Sequence, residues 1–358
     1  MSAYLALRYC LFGHSGGDLL RLLLIFSLVV LAGCAEGPEQ VHEEYRARLA
    51  KFLPIDEAHT LAVERWPEFN AQPLDSGVRM GILELGQLGH CQLATDIAGR
   101  NNQLGKVATA SERFKYHLRF LQQVDACLNH PDSETLSPSL IAALEQEKQF
   151  KTRTLSQAFN NLLAQEKELK HLFTFSRNAL DFDEQAGRVN SQSALTQLAN
   201  IADNLAQHNV EDIDTAQLTQ ALEQLNRSDY IAKLLRATRE QIALNNALSA
   251  ELERIKLPGD ICAAHKNNRN SMIVHNIFNK FYIGQLQGFQ SHLAGRLQQL
   301  QPLFTRILQF QPDDSHIKAQ LLGTHGEPSL LAELKTSSRR HVTWWQAFYK
   351  HCDLTPGE

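Results

Sequence analysis

The chain has 358 residues and carries 35 Lys and Arg against 39 Asp and Glu, a formal net charge of −4. This mild balance, with both signs mixed along the chain, argues against nucleic acid as a partner, which needs a basic face. Hydrophobic residues make up 43% of the sequence, enough for a large buried core in one long domain or two.

The first element is a leader. Arg8 and Arg21 precede a ten-residue apolar run, Leu22 to Leu31. A basic start and a short apolar core describe an export signal too short to span a bilayer. The exit reads Leu31-Ala32-Gly33-Cys34, which resembles the lipobox of bacterial lipoproteins. The resemblance implies cleavage after Gly33 and lipidation of Cys34, palmitate included. Each buried methylene contributes about 0.8 kcal/mol, so two or three acyl chains hold durably where one does not. Ala35 in place of Asp points to the outer membrane, with the inner membrane as the other possibility. A plain signal peptide, or a cysteine buried on an apolar helix, is the competing reading. The mature chain then has 33 basic and 38 acidic residues, since Arg8, Arg21 and Asp18 leave with the leader.

Residues 34–41 read as a short lipidated tether, which brings the body close to the membrane, and 42–358 as a single helical domain. Pro54, Pro67 and Pro73 make 53–76 irregular, with Trp66 as a plug. The segment Ile97 to Lys106 interrupts two apolar-periodic stretches. Its glycines and asparagines suit a turn with left-handed backbone. Arg100, Asn101, Asn102 and Lys106 are candidate contacts for an anion or a partner carboxylate; an ordinary loop between helices is the simpler reading.

From Ser139 to Leu257 there is no proline and a single glycine, Gly187. Proline costs about 3 kcal/mol inside a helix and glycine about 1, so this stretch predicts long helices. Leu155, Phe159, Leu162, Leu169 and Phe173 share one face, as do Leu218, Leu222 and Leu225, and Leu248, Leu252 and Ile255. Ser137-Pro138 reads as N-cap and first helical residue, and Leu257-Pro258-Gly259-Asp260 as a stop. A helix begins near Asn270, with Pro302 and Pro312 expected to kink or break it. The last runs from about Pro328 to Cys352, pairing Trp344 with Phe348 and Trp345 with Tyr349 at four-residue spacing. The fold class is therefore all-α: an elongated multi-helix bundle of roughly eight to ten helices, with no fixed internal repeat.

Cleavage removes Cys10, and lipidation uses Cys34. Cys91, Cys127, Cys262 and Cys352 remain, an even number in an oxidising compartment. Three pairings are possible. Cys91–Cys127 and Cys262–Cys352 are favoured, because the first pair flanks one helix–loop–helix and the second ties the carboxyl terminus to an interhelical break. Four buried thiols are the other reading.

Catalytic and metal motifs fail on inspection. Gly13-His14-Ser15-Gly16-Gly17 fits a hydrolase elbow but sits in the cleaved leader. His42-Glu43-Glu44 opens like a zinc-protease helix, yet position 46 is Arg46. His265 and His275 are ten residues apart, the wrong spacing for adjacent turns. The Trp344–Tyr349 cluster reads as core rather than as a membrane-interface belt. No metal site, catalytic residue or cofactor is implied.

Taken together, the lipobox, the run Cys91-Gln92-Leu93 with Arg100 to Val107, Ser111 to Tyr116 and Cys127-Leu128, and the tail Trp345, Cys352 and Pro356 resemble an uncharacterised family of gammaproteobacterial lipoproteins, the domain-of-unknown-function family numbered three-thousand-and-eighty. The resemblance covers nearly the whole mature chain and implies a compartment and a single domain, not an activity. The functional expectation is a non-enzymatic helical adaptor or scaffold for another envelope component, held on the periplasmic side of the outer membrane through Cys34. The alternative is a lipid or hydrophobic-ligand carrier, motivated by Phe278, Phe281, Phe289, Phe304 and Phe310. A cell-wall or lipid hydrolase ranks third.

Overall fold

A computed structural model describes residues 37–57, 69–173, 176–257, 259, 261–324 and 326–355. The leader, Cys34, Trp66 and Pro356 lie outside the described residues. Among these residues the regular structure is helical, apart from one isolated bridge between Ala263 and Lys266. Fourteen α-helices lie among the described residues, nine of them ten residues or longer, so the expected eight to ten matches the long helices alone. In chain order they are α1 (Pro38–Ala50), the short α2 (Ile82–Gly86), α3 (Leu93–Asn101) and α4 (Gln103–Lys106), then α5 (Ala110–Leu128), α6 (Pro138–Gln165), the short α7 (Lys167–Phe173), α8 (Arg188–Ala206), α9 (Thr215–Asn226), α10 (Tyr230–Leu252), α11 (Arg269–Phe278), α12 (Gln287–Ile307), the short α13 (His316–Leu322) and α14 (Leu330–Cys352). No helix among the described residues is long and apolar enough to cross a membrane.

Caps explain most boundaries. Thr109 Oγ1 accepts from the Glu112 amide at 3.2 Å, and Ser329 Oγ from the Ala332 amide at 3.2 Å. Asp214 Oδ1 accepts from the Ala216 amide at 2.7 Å. Asn268 and Ser271 form a reciprocal capping box at the start of α11, the arrangement that satisfies two orphan amides at once. Gly187 precedes α8 with φ +76° and packs on Ser228, where a β-carbon would collide, so only glycine suits the position.

The predicted apolar faces are the core. Leu155, Phe159, Leu162, Leu169 and Phe173 are all buried, as are the Leu218–Leu225 and Leu248–Ile255 sets. Three buried clusters result. The largest joins α5 to α10 with α12, α13 and the start of α14, the second joins α1, α11 and the ends of α10 and α14, and the third joins α3 with the facing ends of α5 and α6. Helices α5, α6, α10 and α14 each contribute to two clusters, so the cores share their struts. Both favoured disulfides are present, Cys91–Cys127 and Cys262–Cys352.

Three expectations are corrected. Residues 38–41, expected in the tether, belong to α1, where Val41 is already buried. The segment 97–106 is mostly helical, and neither Gly99 nor Gly105 has a positive φ. Pro302 does not end its helix, which runs on to Ile307; Pro312 lies beyond the end. The irregularity in this run is instead a π-helical stretch, Asn279–Leu286, between α11 and α12.

That stretch faces a buried polar seam. His42 and Tyr45 on α1 meet α10, α12 and α14 there. Asn245 Oδ1 takes bonds from His42 (3.4 Å) and Gln290 (3.1 Å), and Gln290 Oε1 accepts from Tyr282 (3.1 Å) and Ser338 (2.8 Å). His341 Nε2 accepts from Tyr45 Oη at 3.0 Å and Trp345 Nε1 at 3.2 Å, while Nδ1 lies 3.3 Å from Ser249 Oγ. The indole is a donor only, which fixes Nε2 as acceptor and places the His341 proton on Nδ1. Burial pushes His42 down to about 4 and His341 well below its ordinary value. Both are neutral in the folded state, and the unfolded chain binds the extra protons. Their stabilisation is therefore complete above about pH 6.5 and lost as pH falls toward 4, about 3 kcal/mol from His42 alone. Calorimetry at pH 7, 5.5 and 4.5 should show a falling melting temperature, and the His341→Gln variant should flatten the slope. A profile identical in both proteins would contradict this assignment.

Candidate functional site

Helices α5 and α6 pack side by side, and the irregular chain 69–80 crosses over them. Asn161 on α6 holds this strap: its Oδ1 accepts from the Gln72 amide at 2.8 Å and its Nδ2 donates to the Gln72 carbonyl at 2.6 Å. Beneath the strap is a cleft of about 900 Å³. Its walls come from the strap, the last residues of α3, and one stripe each of α5 and α6. On α5 the stripe is Arg113, Phe114, Tyr116 and His117; on α6 it includes Glu147, Phe150 and Lys151. Arg113 and His117, Phe114 and His117, and Glu147 and Lys151 are three or four residues apart, the spacing that places side chains on one helical face.

Lys151 is the deepest charge. Its side chain is 3% exposed, and its Nζ lies 3.1 Å from a Glu147 carboxylate oxygen. The same ammonium sits 4.4 Å from the centre of the Tyr116 ring and 5.3 Å from that of Phe120, within cation–π range. Burial pushes the Lys151 amine down, and the Glu147 carboxylate opposes this. Burial likewise pushes His117 down to about 3, helped by the positive charges of Lys151 and Arg100. His117 is therefore neutral at physiological pH. Burial also raises the Tyr116 hydroxyl, so that it stays protonated.

Two buried atoms in this lining have no hydrogen-bond partner, His117 Nδ1 and Glu147 Oε2. Buried polar atoms are nearly always paired in native proteins, so each exception asks for a reason. Eight other such atoms lie elsewhere among the described residues, on Arg119, Gln123, Arg188, Gln197, Gln224, Tyr230, Gln320 and Trp344; in the cleft two fall in one charged lining.

The rim is cationic. Arg100 donates to the Gly105 carbonyl. Arg113 donates to the Ala108 carbonyl and to Gln165 Oε1. Each of these acceptors is neutral. Arg79, by contrast, is paired with Asp75 at 3.1 Å on the exposed strap. Gly105 lets α4 fold against the end of α3: a β-carbon there would collide with the Gly99 and Arg100 carbonyls.

Of the sequence candidates, Arg100 and Asn101 line the cleft. Asn102 has an internal duty, its Oδ1 accepting from the Gly105 amide at 2.8 Å. The Lys106 side chain lies outside the described residues. Arg113, His117, Glu147 and Lys151 escape sequence reasoning. Their four-residue spacings are visible, but such pairs occur on any solvated helix, and the strap that covers them is set by a contact 89 residues away in sequence.

Other clusters are committed to structure. His90, Cys91 and Cys127 bring donor atoms within 4.8 Å of one another, but both sulfurs are in the disulfide and His90 Nε2 lies 3.0 Å from Ser133 Oγ. His275 is buried against Tyr349 and Asn279, whereas His265 is exposed. A second cavity of about 570 Å³ borders the polar seam, where the buried amides and hydroxyls bond one another.

The chain matches the family model described as a protein of unknown function, DUF3080, over residues 42–356. It belongs to that family. No curated protein and no solved structure matches it. In this DUF3080 protein the cleft lies within the matched region, as do both disulfides.

Breaking the buried pair from one side should be costly. Lys151→Met leaves Glu147 buried without its cation and should lower stability by about 3–5 kcal/mol. Adding Glu147→Leu should recover most of that loss. Urea unfolding of wild type, both single variants and the double variant checks it; additive losses would show that the two side chains do not act as a pair.

Proposed function

We propose that this protein is an envelope lipoprotein without catalytic activity, an adaptor that holds an anionic group of another envelope component in the cleft. The anchor rests on Leu31-Ala32-Gly33-Cys34, whose likeness to a lipobox motivates lipidation of Cys34 and a periplasm-facing place on the outer membrane. Helix α1 starts at Pro38, four residues after that cysteine, so the body is held close to the bilayer.

The observation that carries the adaptor reading is the rim of the cleft. Arg100 and Arg113 bond neutral acceptors, and a guanidinium fork is suited to carboxylate or phosphate oxygens. The carrier reading loses its motivation, because Phe278, Phe281, Phe289 and Phe304 are buried in the packed core and Phe310 packs half-buried against it. Phe278, for example, stacks on Trp345 with ring centres 4.1 Å apart.

Cys34→Ala should release a folded protein into the soluble periplasmic fraction; a variant still in the membrane fraction would refute the anchor. Native mass spectrometry of the anchored protein, purified in mild detergent from its own envelope, tests the adaptor. A stoichiometric component lost from the Arg100→Gln, Arg113→Gln double variant supports it. A bare monomer carrying one defined lipid beyond its anchor would replace it with the carrier.

A further inference from the structure

We infer that the cleft under the strap is a saccharide site: the anion it receives is borne on a polyhydroxylated ring. The inference rests on the reading of Arg100 and Arg113 as an anion site and adds to it the chemistry of the cleft floor.

The floor has two unmet hydrogen-bonding needs. Glu147 Oε2 requires a donor, and His117 Nδ1, on a neutral imidazole, takes either a donor or an acceptor. An anion alone serves this floor poorly, since its oxygens would face the Glu147 carboxylate. Sugar hydroxyls serve it well, because each both donates and accepts. One hydroxyl can donate to Glu147 Oε2 and a neighbour can meet His117, while a carboxylate or phosphate on the same ring reaches the arginines at the rim.

The walls agree. Phe114, Tyr116 and Phe150 stand in a lining that mixes apolar side chains such as Leu74, Val78, Met80 and Ile97 with polar ones, which suits a ring with one apolar C–H face and a polar edge. A volume of about 900 Å³ is in the usual range for small-ligand sites. An extended peptide is less well served. The strap is the irregular backbone over the cleft, and the amide and carbonyl of Gln72 are both occupied by Asn161, so strand addition at that point is closed.

The test is isothermal titration calorimetry on the full mature chain with a defined panel: glucose 6-phosphate, glucuronate, neutral glucose, inorganic phosphate and the dipeptide Gly-Glu. Saturable binding of both anionic sugars, at least tenfold tighter than glucose, phosphate or Gly-Glu, is the expected result. His117→Phe keeps an aromatic ring and removes the nitrogens; it should abolish the tenfold preference. Arg113→Gln should weaken every anion. If phosphate binds as tightly as glucose 6-phosphate and His117→Phe changes nothing, the saccharide inference is overturned while the anion site stands. Tightest binding of Gly-Glu overturns it in favour of an acidic peptide, and binding of none of the anions overturns both readings. A tetramer of linked glucuronate, set against the monomer, identifies the source: tighter binding per molecule upholds the site as a glycan-chain site, equal binding as one for a free acidic sugar.

Discussion

A polar group taken out of water must find a partner inside the protein, and this constraint separates the two polar regions of the fold. An unmet buried donor or acceptor costs on the order of 1–3 kcal/mol. In the seam the obligation is met by a closed set of bonds among His42, Asn245, Gln290, Ser338, Tyr282, Tyr45, His341 and Ser249. That set stitches α1 to α10, α12 and α14 and specifies a single docking geometry, as satisfied polar networks do. In the cleft the obligation is met for Lys151 and left open at His117 and Glu147. The first region has nothing left to offer a ligand. The second has.

On the proposed reading, the two regions divide the labour between anchoring and recognition. Helix α1 is the first described helix after the proposed lipid site, and Tyr45 and Leu49 on it are fully buried. Its Arg46 pairs with Glu251 on α10, so a ion pair as well as the seam ties it to the body. The cleft lies against the other clusters, between α5 and α6, where Phe114 and Phe120 belong to different cores. Helices shared between cores make the cleft's floor stiff, while its cover is a strap without regular structure held through Asn161. A firm floor under an irregular cover is a suitable frame for recognising a group of fixed chemistry.

Much of the fold is legible in the sequence because it is local. The absence of proline from Ser139 to Leu257, the periodic leucines and the Ser137-Pro138 start each predict what forms. The breaks that were not legible have tertiary causes. Glu166 interrupts an otherwise continuous helical stretch although glutamate is a good helix former; its carboxylate instead accepts from the Ser111 amide at 2.6 Å, capping the start of α5 from 55 residues away. The π-helical stretch follows no proline, and Tyr282 within it is aimed at Gln290 of the seam. Segment 97–106 misled for the opposite reason. Its glycines suggest a turn, yet Gly105 is needed for a close approach between α4 and α3 rather than for a left-handed backbone. Arg100 and Asn101 could be singled out as candidates from that odd composition. Glu147 and Lys151, which line the same cleft, look like an ordinary solvated helix pair until the fold buries them.

The central claim is that the cleft presents guanidiniums, bonded to neutral acceptors, that take an anion. The most direct measurement is NMR of the arginine side-chain Nε–Hε signals during titration with sodium phosphate at constant ionic strength. The account predicts saturable shifts at Arg100 and Arg113, with small, non-saturating changes at paired arginines such as Arg46 and Arg340. Uniform drift of all arginines, or selective shifts away from the cleft, would contradict it.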